Sequence, residues 1–251
     1  MASGYEVLPA VYDRWQKSYG KDFSELILPK LLSTIRRHRI SGDSLVDVAC
    51  GTGSLALSMA RRGWKVAGID ASQGMIDVAK KKFRDARLPA TFLVEDMRDF
   101  SLPAPVSLAT SFFDGLNHLL EKEGLLSAFR AVSRSLVPGG WFVFDMNNEQ
   151  CFTHLWTKNE TIDLDGVTLT LESAYDRGEK LGTCVARLLV GGEEKTERVA
   201  ERCYAPETVR ALLNEAGFEV RGSEDFNFTP NPLIGKLKTW WVAEKAVVSS
   251  P

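Results

Sequence analysis

The chain has 251 residues, of which 44% are hydrophobic and 25% charged. That balance suits a globular protein with a full core and excludes a disordered one. A formal net charge of -2 supplies no field to gather a polyanion, so nucleic acid is not expected as a partner.

Cys50, Cys151, Cys184 and Cys203 show no CxxC spacing, and the three histidines form no ligand pair. Neither a disulfide framework nor a metal site is expected. Met1 to Ala10 lack a basic segment followed by a long apolar run, and no apolar stretch approaches the roughly 20 residues that span a bilayer. A reduced, cytoplasmic protein with no membrane partner is expected. Tyr12 to Tyr19 and Asp22 to His38 read as helices despite Pro29, making residues 1–40 a candidate helical lid.

From Ser44 short apolar runs alternate with amphipathic stretches, the pattern of parallel strands wound with helices. The expected strands are Ser44 to Ala49, Lys65 to Asp70, Thr91 to Glu95, Pro105 to Phe112 and Trp141 to Met146. Between them lie helices from Ser54 to Arg62 and from Ser72 to Ala86, with Ser72 as N-cap. A third helix runs from Glu121 to Leu136, and Pro138-Gly139-Gly140 is read as its stop. The basic run Lys80-Lys81-Lys82 with Arg84 shares its helix with Asp77 and Asp85 and reads as a solvated face.

Past Met146 the pattern changes. Thr161 to Leu164, Val167 to Tyr175, Leu181 to Val190 and Thr196 to Tyr204 are rich in β-formers, and Asp165-Gly166, Arg177-Gly178 and Gly191-Gly192 separate them as turns. Pro206 to Ala216 follows as a helix ended by Gly217, then strands Phe218 to Phe226 and Lys238 to Glu244, in which Trp240 and Trp241 read as core. The expected fold is α/β: a Rossmann-like, doubly wound sheet over residues 41–150 and 205–251, with an antiparallel insertion, residues 151–204, after the fifth strand.

The most informative stretch is Asp47-Val48-Ala49-Cys50-Gly51-Thr52-Gly53-Ser54, where a strand gives way to a helix. Glycines there let the backbone approach a ligand, and a nucleoside cofactor is expected. Asp70 ends the second strand at the spacing from Gly51 where a carboxylate can bond ribose hydroxyls, or serve only as a helix cap. The loop and Asp70 also satisfy a dinucleotide fingerprint. Two further features separate the candidates: Asp47 is placed to meet an ammonium, and Asp96-Met97 after the third strand suits adenine's amine and flat face. A dinucleotide needs no acid at Asp47.

The succession VDVACGTGSLAL, VAGIDAS, VEDMRDF, SFFDGLNHLL and PGGWFVFDM resembles the motifs of class I S-adenosylmethionine-dependent methyltransferases over roughly residues 40 to 150. Tyr12-Asp13, Lys21-Asp22-Phe23 and Phe113-Asp114-Gly115-Leu116-Asn117-His118-Leu119 resemble the small-molecule members that include sugar-amine N-methyltransferases. The resemblance implies that Ala49, Gly51 and Gly53 line the methionyl and ribose part, that Asp70 and Ala71 hold the ribose, and that Asp96 and Met97 take the adenine. Tyr12, Tyr19, Asp47, Cys50, Met75 and Phe112 complete the expected cofactor contacts. Ala49 departs from the glycine most often found at its place.

Methyl transfer from a sulfonium needs the acceptor held in line. Orientation supplies roughly 7 to 11 kcal/mol, against some 3 to 5 for a general base, so no catalytic triad is required. The resemblance implicates His118 and Tyr12 in catalysis. His118 follows the fourth strand and reads equally as a base, as a substrate-orienting group or as a turn histidine bonded to backbone. Tyr12, Trp15, Tyr19 and Phe23 are either lid aromatics facing the sulfonium or ordinary packing. Glu172, Tyr175 and Arg187 of the insertion resolve into no pocket, and its hairpins suit a cover over a small-molecule acceptor or a homodimer contact. Two alternatives stay open: a nicotinamide-dependent oxidoreductase, which lacks a Tyr-x-x-x-Lys pair here, and a non-catalytic S-adenosylmethionine-binding module.

Overall fold

A computed structural model describes residues 7–20, 22–227 and 236–247. Met1 to Glu6 and Lys21 of the sequence motifs above lie outside the described residues. Five strands run parallel: β1 (Ser44–Val48), β2 (Lys65–Asp70), β3 (Thr91–Val94), β4 (Val106–Ser111) and β5 (Leu136–Asn147). Two more, β10 (Phe218–Phe226) and β11 (Lys238–Lys245), close the sheet antiparallel in the order β10-β11-β5-β4-β1-β2-β3. The chain leaves β1 toward β2 and β3 and then returns to β4 on β1's other side. That reversal opens a crevice at the carboxyl ends of β1 and β4, where ligands of open α/β sheets bind.

Both faces of the sheet are covered. On one side, α5 (Lys122–Ser135) and α7 (Pro206–Glu215) bury Phe129, Phe142, Phe144 and Trp241. On the other, α2 (Phe23–His38), α3 (Ser54–Ala60) and α4 (Gln73–Ala86) bury Ile27, Met59, Phe83 and Trp240. Adjacent Trp240 and Trp241 are both core because a strand buried on two faces sends successive side chains to opposite sides. Asp22 caps α2 by accepting from the Ser24 N–H, and Ser72 caps α4 by accepting from the Met75 N–H.

The insertion is a second, four-stranded sheet in the order β6-β7-β8-β9: β6 (Asn159–Asp163), β7 (Val167–Asp176), β8 (Leu181–Val190) and β9 (Glu193–Arg202). β9 begins earlier than Thr196 because Gly191 and Gly192, with φ of 58° and 89°, form a two-residue turn that lets the ladder run to the hairpin end. Val167, Leu169, Ala186 and Leu188 of its inner face pack on Leu8, Val11 and Tyr12, so the insertion rests on the N-terminal segment. That segment holds a short 3₁₀ turn, Leu8–Ala10, and α1 (Tyr12–Ser18).

Pro138-Gly139-Gly140 does not stop a helix. α5 has already ended at Ser135, and the three residues form a bulge within β5, where pairing with β4 jumps from Val106↔Leu136 to Leu108↔Trp141. A bulge accommodates a proline without loss of a ladder bond. The sequence pattern also omits α6 (Glu149–His154), capped by Asn148. No helix among the described residues is long and apolar enough to cross a membrane.

Candidate active site

The turn after β1 is built from left-handed backbone. Ala49, Gly51 and Gly53 have φ of 54°, 53° and 72°. At position 53 glycine is needed for space as well, because a Cβ would lie 2.9 Å from that of Ala79. Ala49 holds the same conformation at a cost of about 1 to 2 kcal/mol. Its methyl fills the space beside Gly115, where a Cβ would come within 2.8 Å of it. Strain kept at a strand tip points to function.

Acids stand along three neighbouring strands. Asp70 accepts from the Gly51 N–H through Oδ2 and from the Ser72 N–H through Oδ1, each at 2.9 Å. Each oxygen of a carboxylate can accept a second bond, so Asp70 can still take two hydroxyls. Burial raises its pKa while the two amides act in the opposite direction. Asp47 inside β1 is 4% exposed and accepts from the Thr110 hydroxyl at 2.7 Å. Burial pushes its carboxyl up to about 7. It lines a cavity with Tyr12, Phe23, Ala49, Gly51, Phe112 and Phe113.

Other expected contacts occupy varied positions. The Cys50 thiol sits over Gly68, and burial keeps it protonated. Ala71 is exposed, while Met75 is buried with Tyr12 and Val11. Asp96 is half exposed, and the Arg98 side chain gripping it holds its carboxyl below the usual range. Met97 is half-buried against the core under α5.

At the tip of β4, Phe112 stacks on Trp240 with centroids 4.8 Å apart. Phe113 and Asp114 follow in left-handed backbone, φ 64° and 57°. The Asp145 carboxylate of β5 accepts from both their amides, at 3.3 and 3.0 Å, as an anion in a backbone nest. Lys238, 2% exposed, places its ammonium 2.6 Å from Asp114 and 3.4 Å from Asp145. Burial works against that ammonium, but the two carboxylates outweigh it and hold its pKa above the ordinary lysine value.

A 3₁₀ helix, Gly115–His118, then presents His118. Its Nδ1 lies 3.2 Å from the Ala200 carbonyl, which can only accept, so Nδ1 carries the proton and Nε2 is the basic nitrogen of the neutral ring. Burial lowers the His118 pKa and favours that neutral form at pH 7. Nε2 stands 3.8 Å from Oε1 of Glu201, a β9 residue that is 3% exposed. Burial, then Asp114, raise Glu201 well above the carboxylate range, so it stays protonated and donates to Asp114. Burial opposes ionisation of Asp114 too, but Lys238 and that hydrogen bond bring it below its ordinary value. Donor atoms of Asp114, His118 and Glu201 lie within 4.8 Å of one another, with the Lys238 ammonium already beside them.

α1 roofs the first loop. Tyr12 meets Phe113 and Trp15 edge-on, and Asp13 accepts from the Thr52 hydroxyl at 2.6 Å and pairs with Lys82 at 2.7 Å. Lys82 also donates to Thr52 and Ser54. It is a latch between α4 and α1, not part of a solvated face. The far side of the segment is tied to the insertion: Glu197 accepts from the Val7 and Leu8 amides, and Arg14 donates to the Leu164 carbonyl. Tyr19 is 57% exposed, donates to Glu160 of β6 at 2.7 Å and does not line the cavity. Burial and Asp114 keep the Tyr12 phenol protonated, so it can donate a hydrogen bond but cannot serve as a base at neutral pH.

Residues 45–140 match the family model described as a methyltransferase domain. The dTDP-3-amino-3,4,6-trideoxy-alpha-D-glucopyranose N,N-dimethyltransferase of Streptomyces venezuelae is 31% identical over 173 residues, 66% of this chain and 68% of that relative. The chain belongs to the class I S-adenosylmethionine-dependent methyltransferases. Two solved structures share the fold of this methyltransferase. An S-adenosylmethionine-dependent methyltransferase from Clostridium acetobutylicum ATCC 824 has a TM-score of 0.79 at 21% identity, covering 97% of this chain and 100% of that one. The S-adenosylmethionine-bound CalS10, an amino pentose methyltransferase from Micromonospora echinaspora, has a TM-score of 0.74 at 23% identity, covering 96% and 98%. Nothing in these similarities supports the oxidoreductase or the non-catalytic alternative.

The methyltransferase is therefore an enzyme that uses S-adenosylmethionine, which when bound supplies a methyl group activated on a sulfonium. The donor set fits that cofactor. A buried carboxyl with a single hydroxyl donor at the cavity wall suits an ammonium, and a carboxylate fixed by two amides suits a diol. The cavity is lined on its α1 side by Tyr12 and Gln16. Sequence reasoning missed Asp13, Lys82, Arg98, Asp145, Glu201 and Lys238 as parts of this region. For Asp145 a signal existed: it is a lone charge directly after the apolar run Phe142–Phe144.

Proposed function

We propose that this methyltransferase transfers its methyl group to an amine nitrogen of a small molecule by in-line displacement. The observation that carries the reading is the setting of His118: neutral by burial, its Nδ1 committed to the Ala200 carbonyl, and its Nε2 directed toward a group of acids at the tip of β4. A neutral imidazole among carboxyls suits an acceptor that arrives as an ammonium and must lose a proton. In this reading His118 takes that proton, and the Tyr12 hydroxyl and Phe113 ring orient the acceptor. Asp47 receives the methionyl ammonium, Asp70 the ribose hydroxyls, and Asp96 with Met97 the adenine. Ala49, Cys50, Gly51, Gly53, Ala71, Met75 and Phe112 shape the surrounding walls, while Tyr19 belongs to the outer rim.

The insertion covers the acceptor side in this scheme, since it contributes Ala200 and Glu201. The Streptomyces venezuelae relative, named for N,N-dimethylation of a dTDP-linked amino sugar, supports the acceptor class. We further read the protein as cytoplasmic and as a homodimer through the insertion, where Leu189 and Val190 are 45% and 44% exposed. Light scattering would show a mass near twice 27.8 kDa, and a monomer would remove that contact.

The test is a panel of paired acceptors, each an amine and the hydroxyl compound of the same skeleton, including dTDP-linked amino sugars, offered with methyl-labelled S-adenosylmethionine. Label is expected on amines and absent from their hydroxyl counterparts. Label confined to hydroxyl compounds, or to macromolecules alone, would overturn the reading.

A further inference from the structure

Lys238 is a buried cation that the sheet does not need. Its backbone pairs β11 with β5 whatever its side chain, and an apolar chain of similar length would pack among Phe23, Phe113 and Cys151 without the cost of desolvating a charge. The groups facing it come from several elements: Asp114 in the turn after β4, Asp145 on β5, Cys151 on α6, His118 on the 3₁₀ helix and Glu201 on β9. Asp145 holds the two left-handed amides of Phe113 and Asp114. Asp114 accepts from Glu201, whose Oε1 faces the His118 Nε2. One ammonium thus touches both the strained turn and the charges around the imidazole.

We propose that Lys238 is a positioning residue for methyl transfer: buried between Asp114 and Asp145, it keeps the Phe113–Asp114 turn in its left-handed form and sets the charge felt by the His118 ring. The inference rests on the reading of His118 as proton acceptor. Lys238 and Asp114 act on the imidazole in opposite senses, the ammonium disfavouring its protonation and the carboxylate favouring it. With the lysine removed, an uncompensated Asp114 would favour an imidazolium that can no longer accept a proton.

The experiment is an NMR pH titration of the His118 Cε1–H in the full chain, distinguished from His38 and His154 by its absence in H118N, with S-adenosylmethionine affinity measured on the same samples. In K238M the His118 midpoint is expected to rise by roughly one pH unit. In K238R, which keeps the charge, it stays within a few tenths. The double variant D114N/K238M removes the Asp114 charge together with the ammonium, leaving Asp145, whose carboxyl burial already pushes toward its protonated form, and keeps the test readable if K238M unfolds; its midpoint returns to or below the wild-type value. Cofactor affinity in K238M is expected to remain within threefold. An unmoved midpoint in K238M, or one that shifts equally in the single and double variants, would overturn the proposal. Normal turnover in H118A with the Lys238 shift intact would instead remove the histidine from the chemistry and leave the coupling standing.

Discussion

Asp47→Asn offers a perturbation whose two consequences run in opposite directions. The carboxyl is 4% exposed, and burial raises its pKa from 3.8 to about 7. An acid raised in the folded state binds more protons there than in the unfolded chain, so stability falls as pH rises from about 4 to about 7. At 1.36 kcal/mol per unit, a shift of roughly 3 units amounts to at most about 4 kcal/mol lost by pH 8. Asparagine keeps the shape and can accept the Thr110 hydroxyl, yet carries no charge to desolvate. Urea unfolding of the cofactor-free protein should therefore show the variant more stable at pH 8 by up to that amount, with the difference vanishing near pH 4. Calorimetry should show S-adenosylmethionine affinity weakened at least tenfold, together with loss of the proton that wild type releases on binding near pH 7. A variant less stable at pH 8, with unchanged affinity, would refute the reasoning.

His118→Ala should slow turnover at least tenfold with cofactor affinity within threefold, measured by label transfer and calorimetry. Asp70→Ala removes the partner of the Gly51 and Ser72 amides and should weaken S-adenosylmethionine binding tenfold or more. Gly115→Ala drives a Cβ to 2.8 Å from that of Ala49 and should cost about 1 to 3 kcal/mol in urea unfolding. Adding Ala49→Gly should recover at least about 1 kcal/mol of that loss, since the two sites are in contact. Asp13→Asn removes the ion pair of the α1 latch and should speed cofactor association in stopped-flow fluorescence.

The legible parts of the site were those whose residues are near one another in sequence. The Asp47 to Ser54 turn and the Asp70 tip follow from strand, glycine and helix in fixed succession, and the structure joins them by a hydrogen bond from Gly51 to Asp70. The illegible parts depend on distant packing. Lys82 reads as one of several surface lysines until α1 folds over α4 and offers Asp13. β9 hides its meaning differently, because the two residues it buries most are Glu197 and Glu201, where a strand pattern predicts apolar side chains. One glutamate caps the N-terminal segment and the other faces His118. Pro138-Gly139-Gly140 misleads because the same residues signal a helix stop and a strand bulge, and only the pairing of β5 with β4 decides between them.

The strand tips of β1, β2 and β3 are the expected seat of an adenosyl sulfonium. Calorimetric titration of the wild-type protein with S-adenosylmethionine and with NADH at pH 7 tests this directly. One molecule of S-adenosylmethionine bound per chain with proton release, and no heat from NADH, is the predicted result; saturable NADH binding with none of S-adenosylmethionine would contradict it.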